Sequence, residues 1–325
     1  KGSAVALVTP FDESGNIKFK KKGRFFMIFK GSAVALVTPF DESGNINFEK
    51  IKELVEFQIA NGTDAIVACG TTGEASTMND EEHLSAIKAI VDAVNKRIPV
   101  IAGTGGNDTA HSIYMSQEAE KLGADALLII TPYYNKANKS GLRKHFVSIA
   151  NSVKLPIILY NVPSRTKVNI PPALVADLAN NVDNIVALKE ACGDLAQVAE
   201  VCRLVPEGFA VYSGNDDSIL PLLSVGGSGV ISVLANICPR ETHDLVAKFF
   251  EGDIEGSRKL QLGMKPLIDA LFIEVNPVPV KTAVNLMGFN VGDLRLPLAE
   301  MEEQNLEVLK RELVNWGLKI QEATC

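Results

Sequence analysis

The sequence predicts an α/β protein, a (β/α)8 TIM barrel followed by a C-terminal helical module. Eight short apolar runs alternate with longer segments in which apolar residues recur at the helical period of about 3.6. The runs are continuous, as expected for parallel strands that are covered on both faces. After Phe250 the pattern is purely helical, which indicates additional helices outside the barrel.

The predicted strands lie at residues 33–37, 65–69, 100–103, 126–130, 157–160, 185–189, 210–213 and 229–233. Amphipathic spacing between them, such as Leu84, Ile87 and Ile90, predicts the outer helices. The helices of the C-terminal module are predicted near residues 254–273, 279–287 and 302–316. We therefore divide the chain into a duplicated N-terminal extension (1–29), the barrel (30–252) and the helical module (253–325).

The first residues of the chain repeat a later segment. Residues 1–20 and 30–49 differ at two positions only, and just the second copy continues into an amphipathic helix. Both copies cannot fill one strand position of a closed barrel. We interpret residues 1–26 as an artefact of assembly or translation, with Met27 as a natural start. The alternative is a basic arm that docks on a partner.

The composition excludes several classes of protein. With 46% hydrophobic and 22% charged residues, the chain can build a large core and is not disordered. A net charge of -7 argues against nucleic acid or an anionic membrane as the main partner. No apolar run reaches the ~20 residues of a membrane helix, and no secretory pattern is present, so we expect a cytoplasmic protein. The five cysteines and four histidines show no metal-ligand spacing, and we expect neither metal nor cofactor.

In barrels of this kind, the active site lies where the strands end and the following loops begin. The polar residues predicted at these points include Thr71, Thr72, Tyr133, Tyr134, Tyr160 and Lys189. We therefore expect one lysine, three tyrosines and a pair of threonines to meet at one mouth of the barrel. Taken singly, the tyrosines could be surface aromatics and the Gly70–Gly73 segment only a tight turn.

Lys189 ends the apolar run at residues 185–188, so its side chain starts inside the barrel. A buried lysine without a partner is costly. One explanation is a structural ion pair with the neighbouring Glu190. The other is a nucleophile that forms an imine with a carbonyl group, for which the amine must be neutral, and desolvation favours that form.

Imine chemistry also needs groups that move protons, and Tyr160, Thr71 and Tyr134 come from strand ends around Lys189. The turn at Thr71 and Thr72 offers backbone N–H groups and hydroxyls to a carboxylate. Arg165 can bind a second carboxylate through two parallel hydrogen bonds. A solvent-exposed surface arginine is the alternative explanation for Arg165.

These residues lie in motifs that resemble the dihydrodipicolinate synthase family, within the N-acetylneuraminate lyase superfamily of Schiff-base barrels. The resemblance runs from about Phe29 to the C-terminus and rests on the motifs GTTGE (70–74), TPYYN (131–135), YNVPSRT (160–166), LKEA (188–191), GVISV (229–233) and NPVPVK (276–281). It implies a class I aldolase-type lyase. Lys189 would form an imine with pyruvate, and the enamine would attack aspartate 4-semialdehyde before cyclisation, in diaminopimelate and lysine biosynthesis.

The resemblance also implies a role for each site residue. The proton relay would comprise Tyr160, Thr71 and Tyr134, with Tyr134 reaching in from a neighbouring subunit. The groups that bind substrate or line the lysine pocket would be Thr72 for the pyruvate carboxylate, Arg165 for the semialdehyde carboxylate, and backbone groups of Gly214 and Ile231. The implied assembly is a tight homodimer, usually paired into a homotetramer.

One departure from the family concerns feedback inhibition by lysine. Inhibited members commonly have a glutamate at the position of His111 and a histidine or lysine at that of Asp80. Asn107 and Tyr133 of that site are retained here. His111 cannot offer a carboxylate to the ammonium groups of lysine, so we expect weak or absent inhibition.

Two other functions remain open. One is another pyruvate aldolase of the superfamily, acting on N-acetylneuraminate or a keto-deoxy sugar acid. Arg165 and the Thr71, Thr72 pair favour the synthase over that alternative. The other is an inactive barrel that binds a small carboxylate, which the presence of Lys189, Tyr160 and Thr71 disfavours.

Overall fold

Eight parallel strands form a closed barrel in the computed structural model, which describes residues 27–321. The strands are β1 (Gly31–Ala35), β2 (Ala65–Ala68), β3 (Val100–Gly103), β4 (Ala126–Ile130), β5 (Ile157–Asn161), β6 (Ile185–Glu190), β7 (Ala210–Ser213) and β8 (Gly229–Ser232). Each strand pairs with the next one along the chain, and β1 pairs with β8 to close the sheet. The predicted fold class is confirmed. The first copy of the repeat, at residues 1–26, lies outside the described residues.

The first strand begins two residues earlier than predicted. Gly31 and Ser32 pair with Gly229 and Val230, although glycine and serine are weak strand formers and gave no signal in the sequence. The strand also ends earlier, because the backbone N–H of Val37 donates to a side chain, Oδ1 of Asn236, rather than to the sheet. The other boundaries agree with the prediction to within one residue.

Helices follow the strands and cover the outside of the barrel. They are α1 (Phe48–Ala60), α2 (Asp80–Val94), α3 (Thr109–Lys121), α4 (Lys139–Ala150), α5 (Pro163–Thr166), α6 (Pro172–Asn181), α7 (Leu195–Leu204), α8 (Ile219–Ser224), α9 (Pro239–Glu251), α10 (Ile254–Gly263), α11 (Lys265–Leu271), α12 (Val278–Leu286) and α13 (Glu303–Asn315). The predicted helix at 254–273 is two helices that meet at Met264. Pro266 explains the break, because its ring cannot be accommodated inside a continuous helix. No helix within residues 27–321 is long and apolar enough to cross a membrane.

The amino-terminal end of the barrel is packed by residues that precede β1. The ring of Phe29 stacks on Tyr212 of β7 with centroids 4.2 Å apart, and the Tyr212 hydroxyl donates to the Phe29 carbonyl at 2.7 Å. Ile28 and Phe29, which the sequence division placed in the extension, are therefore buried against the barrel. The remaining domain division stays a prediction.

The helical module is fastened to the loop that follows β2. Nζ of Lys281 in α12 lies 2.7 Å from Oε1 of Glu74, and both side chains are fully buried. The other carboxylate oxygen of Glu74 accepts the backbone N–H of Arg295 at 2.9 Å. The module thereby fixes a loop at the carboxyl-terminal mouth of the barrel, where the predicted site residues lie.

Candidate active site

The side chain of Lys189 points into the barrel. Its neighbour Glu190 accepts a hydrogen bond from Gln197 of the outer helix α7, so Glu190 faces the helices. Because successive side chains of a strand lie on opposite faces, Lys189 faces the interior. Its exposed fraction is 5%.

The ion pair between Lys189 and Glu190 does not form. The Glu190 carboxylate is instead bound by Asn161, by Gln197 and by the backbone N–H of Cys192. Burial raises the pKa of Glu190, and these hydrogen bonds oppose that rise. Within residues 27–321, Nζ of Lys189 has neither a hydrogen bond nor an ion pair. The amine is thus buried and not bound to an acid.

Tyr160 lies beside Lys189 on the preceding strand, β5. The two residues pair in register across β5 and β6, and Nζ lies 4.4 Å from the centroid of the Tyr160 ring. Gly214, which follows β7, lies on the other side. A Cβ added at Gly214 would stand 3.2 Å from Cε of Lys189 and 2.7 Å from Cβ of Ala191, so a side chain there would press on the lysine.

The turn after β2 offers unpaired hydrogen-bond donors. Gly73 and Glu74 use their backbone N–H groups within the turn, on Gly70 and Thr71. The backbone N–H groups of Thr71 and Thr72 find no acceptor in the described part of the chain. The Thr72 hydroxyl is buried and accepts a hydrogen bond from Asn276 at 3.1 Å. Several donors without acceptors in a small turn suit a bound anion.

A cavity of about 380 Å³ is lined by Thr71, Tyr160 and Arg165. The cavity continues to Asp80 and His111, the positions that correspond to the lysine-inhibition site of related enzymes. The proposed active site and this region therefore share one cavity. Nη2 of Arg165 donates to the backbone carbonyl of Asn276 at 2.8 Å, and the rest of the side chain is exposed.

One predicted site residue is not brought to Lys189 within this subunit. Tyr134 is 90% exposed, and its φ of 68° is a left-handed conformation that aromatic residues rarely adopt. Ile231 is fully buried in β8, and the part of its backbone in the lysine pocket stays a prediction. The part of Tyr134 in the site stays a prediction that depends on a second subunit.

Sequence reasoning assigned no role to two residues that lie at the site. Asn276 contacts both Thr72 and Arg165. It comes from the helical module, and a search for site residues at the ends of the barrel strands does not include that module. Asp216 follows β7 and is buried. Its Oδ2 accepts the backbone N–H groups of Val233 and Leu234, whereas its Oδ1 has no hydrogen-bond partner within residues 27–321. Burial raises the pKa of Asp216, and Lys189 is among the groups that oppose this rise.

The model of the Dihydrodipicolinate synthetase family matches residues 28–315. The chain belongs to this family. The resemblance drawn from the motifs is therefore confirmed, and the match begins at the residues that pack against the base of the barrel.

Individual members of the dihydrodipicolinate synthetase family are similar over nearly their whole length. The 4-hydroxy-tetrahydrodipicolinate synthase of Thermoanaerobacter sp. (strain X514) is 58% identical, over 98% of this chain and 97% of that protein. The enzyme of the same name from Clostridium perfringens (strain SM101 / Type A) is 57% identical, over 98% and 99%.

Solved structures of the family have the same architecture. Dihydrodipicolinate synthase from Aquifex aeolicus superposes with a TM-score of 0.89 at 43% identity, covering 90% of this chain and all of that one. The chloride-inhibited enzyme from Acinetobacter baumannii, solved in complex with pyruvate, gives a TM-score of 0.87 at 43% identity, with 90% and 100% covered.

Proposed function

We propose that this chain has 4-hydroxy-tetrahydrodipicolinate synthase activity in the cytoplasm and condenses pyruvate with aspartate 4-semialdehyde. The observation that carries the proposal is the amine of Lys189, which is buried beside a tyrosine and forms no ion pair with any acid among the described residues. Family membership and the names of the similar proteins support the same reaction.

The first half of the reaction is imine formation on Lys189. The neutral amine adds to the keto carbon of pyruvate, and the resulting carbinolamine loses water to give the imine. Tyr160, whose ring borders Nζ, would protonate the departing hydroxyl, and Thr71 and Tyr134 would pass protons to and from it. Loss of a proton from the methyl group then gives the enamine, which adds to the aldehyde carbon of the second substrate.

The carboxylates of the two substrates would bind to different groups. The pyruvate carboxylate would accept hydrogen bonds from the free backbone N–H groups of Thr71 and Thr72 and from the Thr72 hydroxyl. Arg165, exposed at the cavity, would bind the carboxylate of the semialdehyde. Backbone groups of Gly214 and Ile231 would complete the lysine pocket.

The exposed Tyr134 supports a homodimer in which it completes the site of the neighbouring subunit. Its side chain is held outward by a local turn, since the Asn135 amide donates to the Asn107 carbonyl and the Asn135 backbone N–H to the Tyr133 carbonyl. An amphipathic ring in a strained outward conformation is typical of an interface contact. Pairing of such dimers into a tetramer belongs to the same proposal.

The activity is tested by supplying pyruvate and aspartate 4-semialdehyde and following product formation. We expect turnover with this pair and none with N-acetylneuraminate or a keto-deoxy sugar acid. Turnover of a sugar acid in place of the semialdehyde would favour the related aldolases, because the imine step is common to all of them. A folded protein that forms no imine with pyruvate would leave only the carboxylate-binding barrel.

Replacing Arg165 with alanine separates the two substrates. We expect kcat/KM for the semialdehyde to fall by about 10²-fold, because a charged hydrogen-bonding partner of its carboxylate is lost. Imine formation with pyruvate should be unaffected. The matched control is Arg143→Ala, which removes an exposed arginine that is paired with Asp177 outside the cavity. Equal effects of the two substitutions would remove Arg165 from the site.

Titration with lysine tests the predicted weak inhibition. Nε2 of His111 lies 2.8 Å from Oδ1 of Asp80, so the acid of this cavity is already paired with a neighbouring side chain. We expect turnover at saturating pyruvate to be nearly unchanged by millimolar lysine. Strong inhibition in that range would contradict the prediction.

A further inference from the structure

Asn276 belongs to the segment before α12, but it contacts two residues of the proposed site. Its Nδ2 lies 3.1 Å from Oγ1 of Thr72, and its backbone carbonyl accepts a hydrogen bond from Arg165 at 2.8 Å. Asn276 is only 6% exposed, and its side-chain Oδ1 has no hydrogen-bond partner in the part of the chain that the structure describes. The side chain of Asn276 thus contacts Thr72, whereas its backbone contacts Arg165.

The side-chain amide of Asn276 can take two orientations, which leave different hydrogen-bonding groups without a partner. With Nδ2 toward Thr72, the carbonyl oxygen and the second N–H of Nδ2 have no partner within residues 27–321. The reverse orientation would place two N–H groups where Oδ1 now finds no partner. A buried unpaired N–H is rarer and more costly than an under-satisfied carbonyl oxygen, so the observed orientation is preferred.

This orientation determines what the Thr72 hydroxyl can do. A hydroxyl has one proton to donate, and its oxygen can accept. Since the oxygen of Thr72 accepts from Asn276, its proton must point elsewhere, and no acceptor for it lies within residues 27–321. The backbone N–H groups of Thr71 and Thr72 are unpaired in the same turn. The turn therefore holds three hydrogen-bond donors that can share one acceptor: the Thr72 hydroxyl and the backbone N–H groups of Thr71 and Thr72.

We propose that Asn276 is a positioning residue that holds the Thr72 hydroxyl as a hydrogen-bond donor to the carboxylate of the 2-oxo acid substrate. The proposal rests on the proposed function, which supplies that substrate. It gives the helical module a direct part in selecting an anion at the mouth of the barrel. Arg165 is held by the backbone of Asn276, so a side-chain substitution leaves that contact in place.

The test is the nearly isosteric variant Asn276→Asp. A carboxylate can only accept, so it would take the Thr72 proton and leave the substrate without this donor. We expect the pyruvate concentration for half-maximal borohydride trapping to rise about tenfold or more, as for loss of a hydrogen bond to a charged group. The KM for the semialdehyde should change far less.

The pH dependence of Asn276→Asp distinguishes positioning from a structural defect. Once protonated, the new carboxyl group can donate to Thr72 as the amide does. The ratio of half-maximal pyruvate concentrations, variant over wild type at each pH, should therefore fall toward one as the pH is lowered. A tenfold ratio that is independent of pH would overturn the proposal.

Thr72→Val provides the second measurement, since it removes the hydroxyl through which Asn276 acts. In that background Asn276→Asp should add little to the half-maximal pyruvate concentration. Asn276→Leu, which is apolar and of similar size, replaces the aspartate if that variant does not fold, and should also be non-additive with Thr72→Val. Full additivity would contradict the proposal. Absence of any trapped adduct in the wild-type protein would instead contradict the proposed function.

Discussion

We expect Lys189→Met to abolish the adduct that borohydride traps with pyruvate and to lower turnover by about 10³-fold or more, because it removes the amine proposed to form the imine. The same change should leave the thermal midpoint unchanged or raise it. The amine is buried and forms no ion pair within residues 27–321, and an apolar side chain of similar length removes that unfavourable burial. Mass spectrometry of the trapped protein and a thermal melt measure the two effects.

Lys144→Met is the matched control for the change at Lys189. Lys144 is exposed on α4, so its replacement should affect neither the adduct nor the melt. A Lys189→Met protein that melts well below the wild type would indicate that the lysine stabilises the fold. A pyruvate adduct that persists in this variant would place the reactive amine elsewhere.

Lys281→Met lowers the free energy of unfolding by about 3–5 kcal/mol, the usual cost of leaving one member of a buried ion pair alone. Nζ of Lys281 bonds Glu74 at 2.7 Å and the Asp293 carbonyl at 2.8 Å, and it lies 4.1 Å from the centroid of the Phe40 ring. Burial lowers the pKa of Lys281, and the Glu74 carboxylate opposes this. Without the lysine, the Glu74 carboxylate retains a single hydrogen bond within residues 27–321, from the backbone N–H of Arg295 to its other oxygen. Denaturation by urea measures the loss.

A second substitution distinguishes the lost charge from lost packing. Glu74→Gln in the Lys281→Met background removes the unpaired charge, so part of the stability should return. Lys265→Met, which breaks an exposed pair with Asp269, should have a much smaller effect. If Lys281→Met unfolds at the same urea concentration as the wild type, the pair does not stabilise the native protein.

Much of the fold could be predicted from the sequence because each strand is a continuous apolar run bounded by turn residues. The start of β1 was missed, since Gly31 and Ser32 join the sheet through backbone pairing with β8 and carry no apolar signal. Hydrophobic spacing also continued through Met264, where Pro266 divides α10 from α11. A pattern of side-chain polarity records neither the backbone pairing of β1 nor the steric exclusion of the Pro266 ring from a continuous helix.

The site could be predicted where strand ends determine it. Lys189 and Tyr160 end neighbouring strands, and their register brings the two side chains together. Asn276 could not be found in this way, because its place depends on how the helical module folds back over the barrel. The proposed place of Tyr134 beside Lys189 of a neighbouring subunit cannot be predicted from one chain either. Contacts between distant parts of one chain, or between chains, leave no local pattern.

Closure of the sheet through β1 and β8 has a consequence for biosynthesis. The ribosome makes β1 first and its closing partner β8 last among the strands, so the nascent chain carries two open sheet edges until Gly229–Ser232 has emerged. Open edges can pair with other chains. The yield of native protein would then depend on how well these open edges are kept from other chains during synthesis, rather than on the rate of local folding.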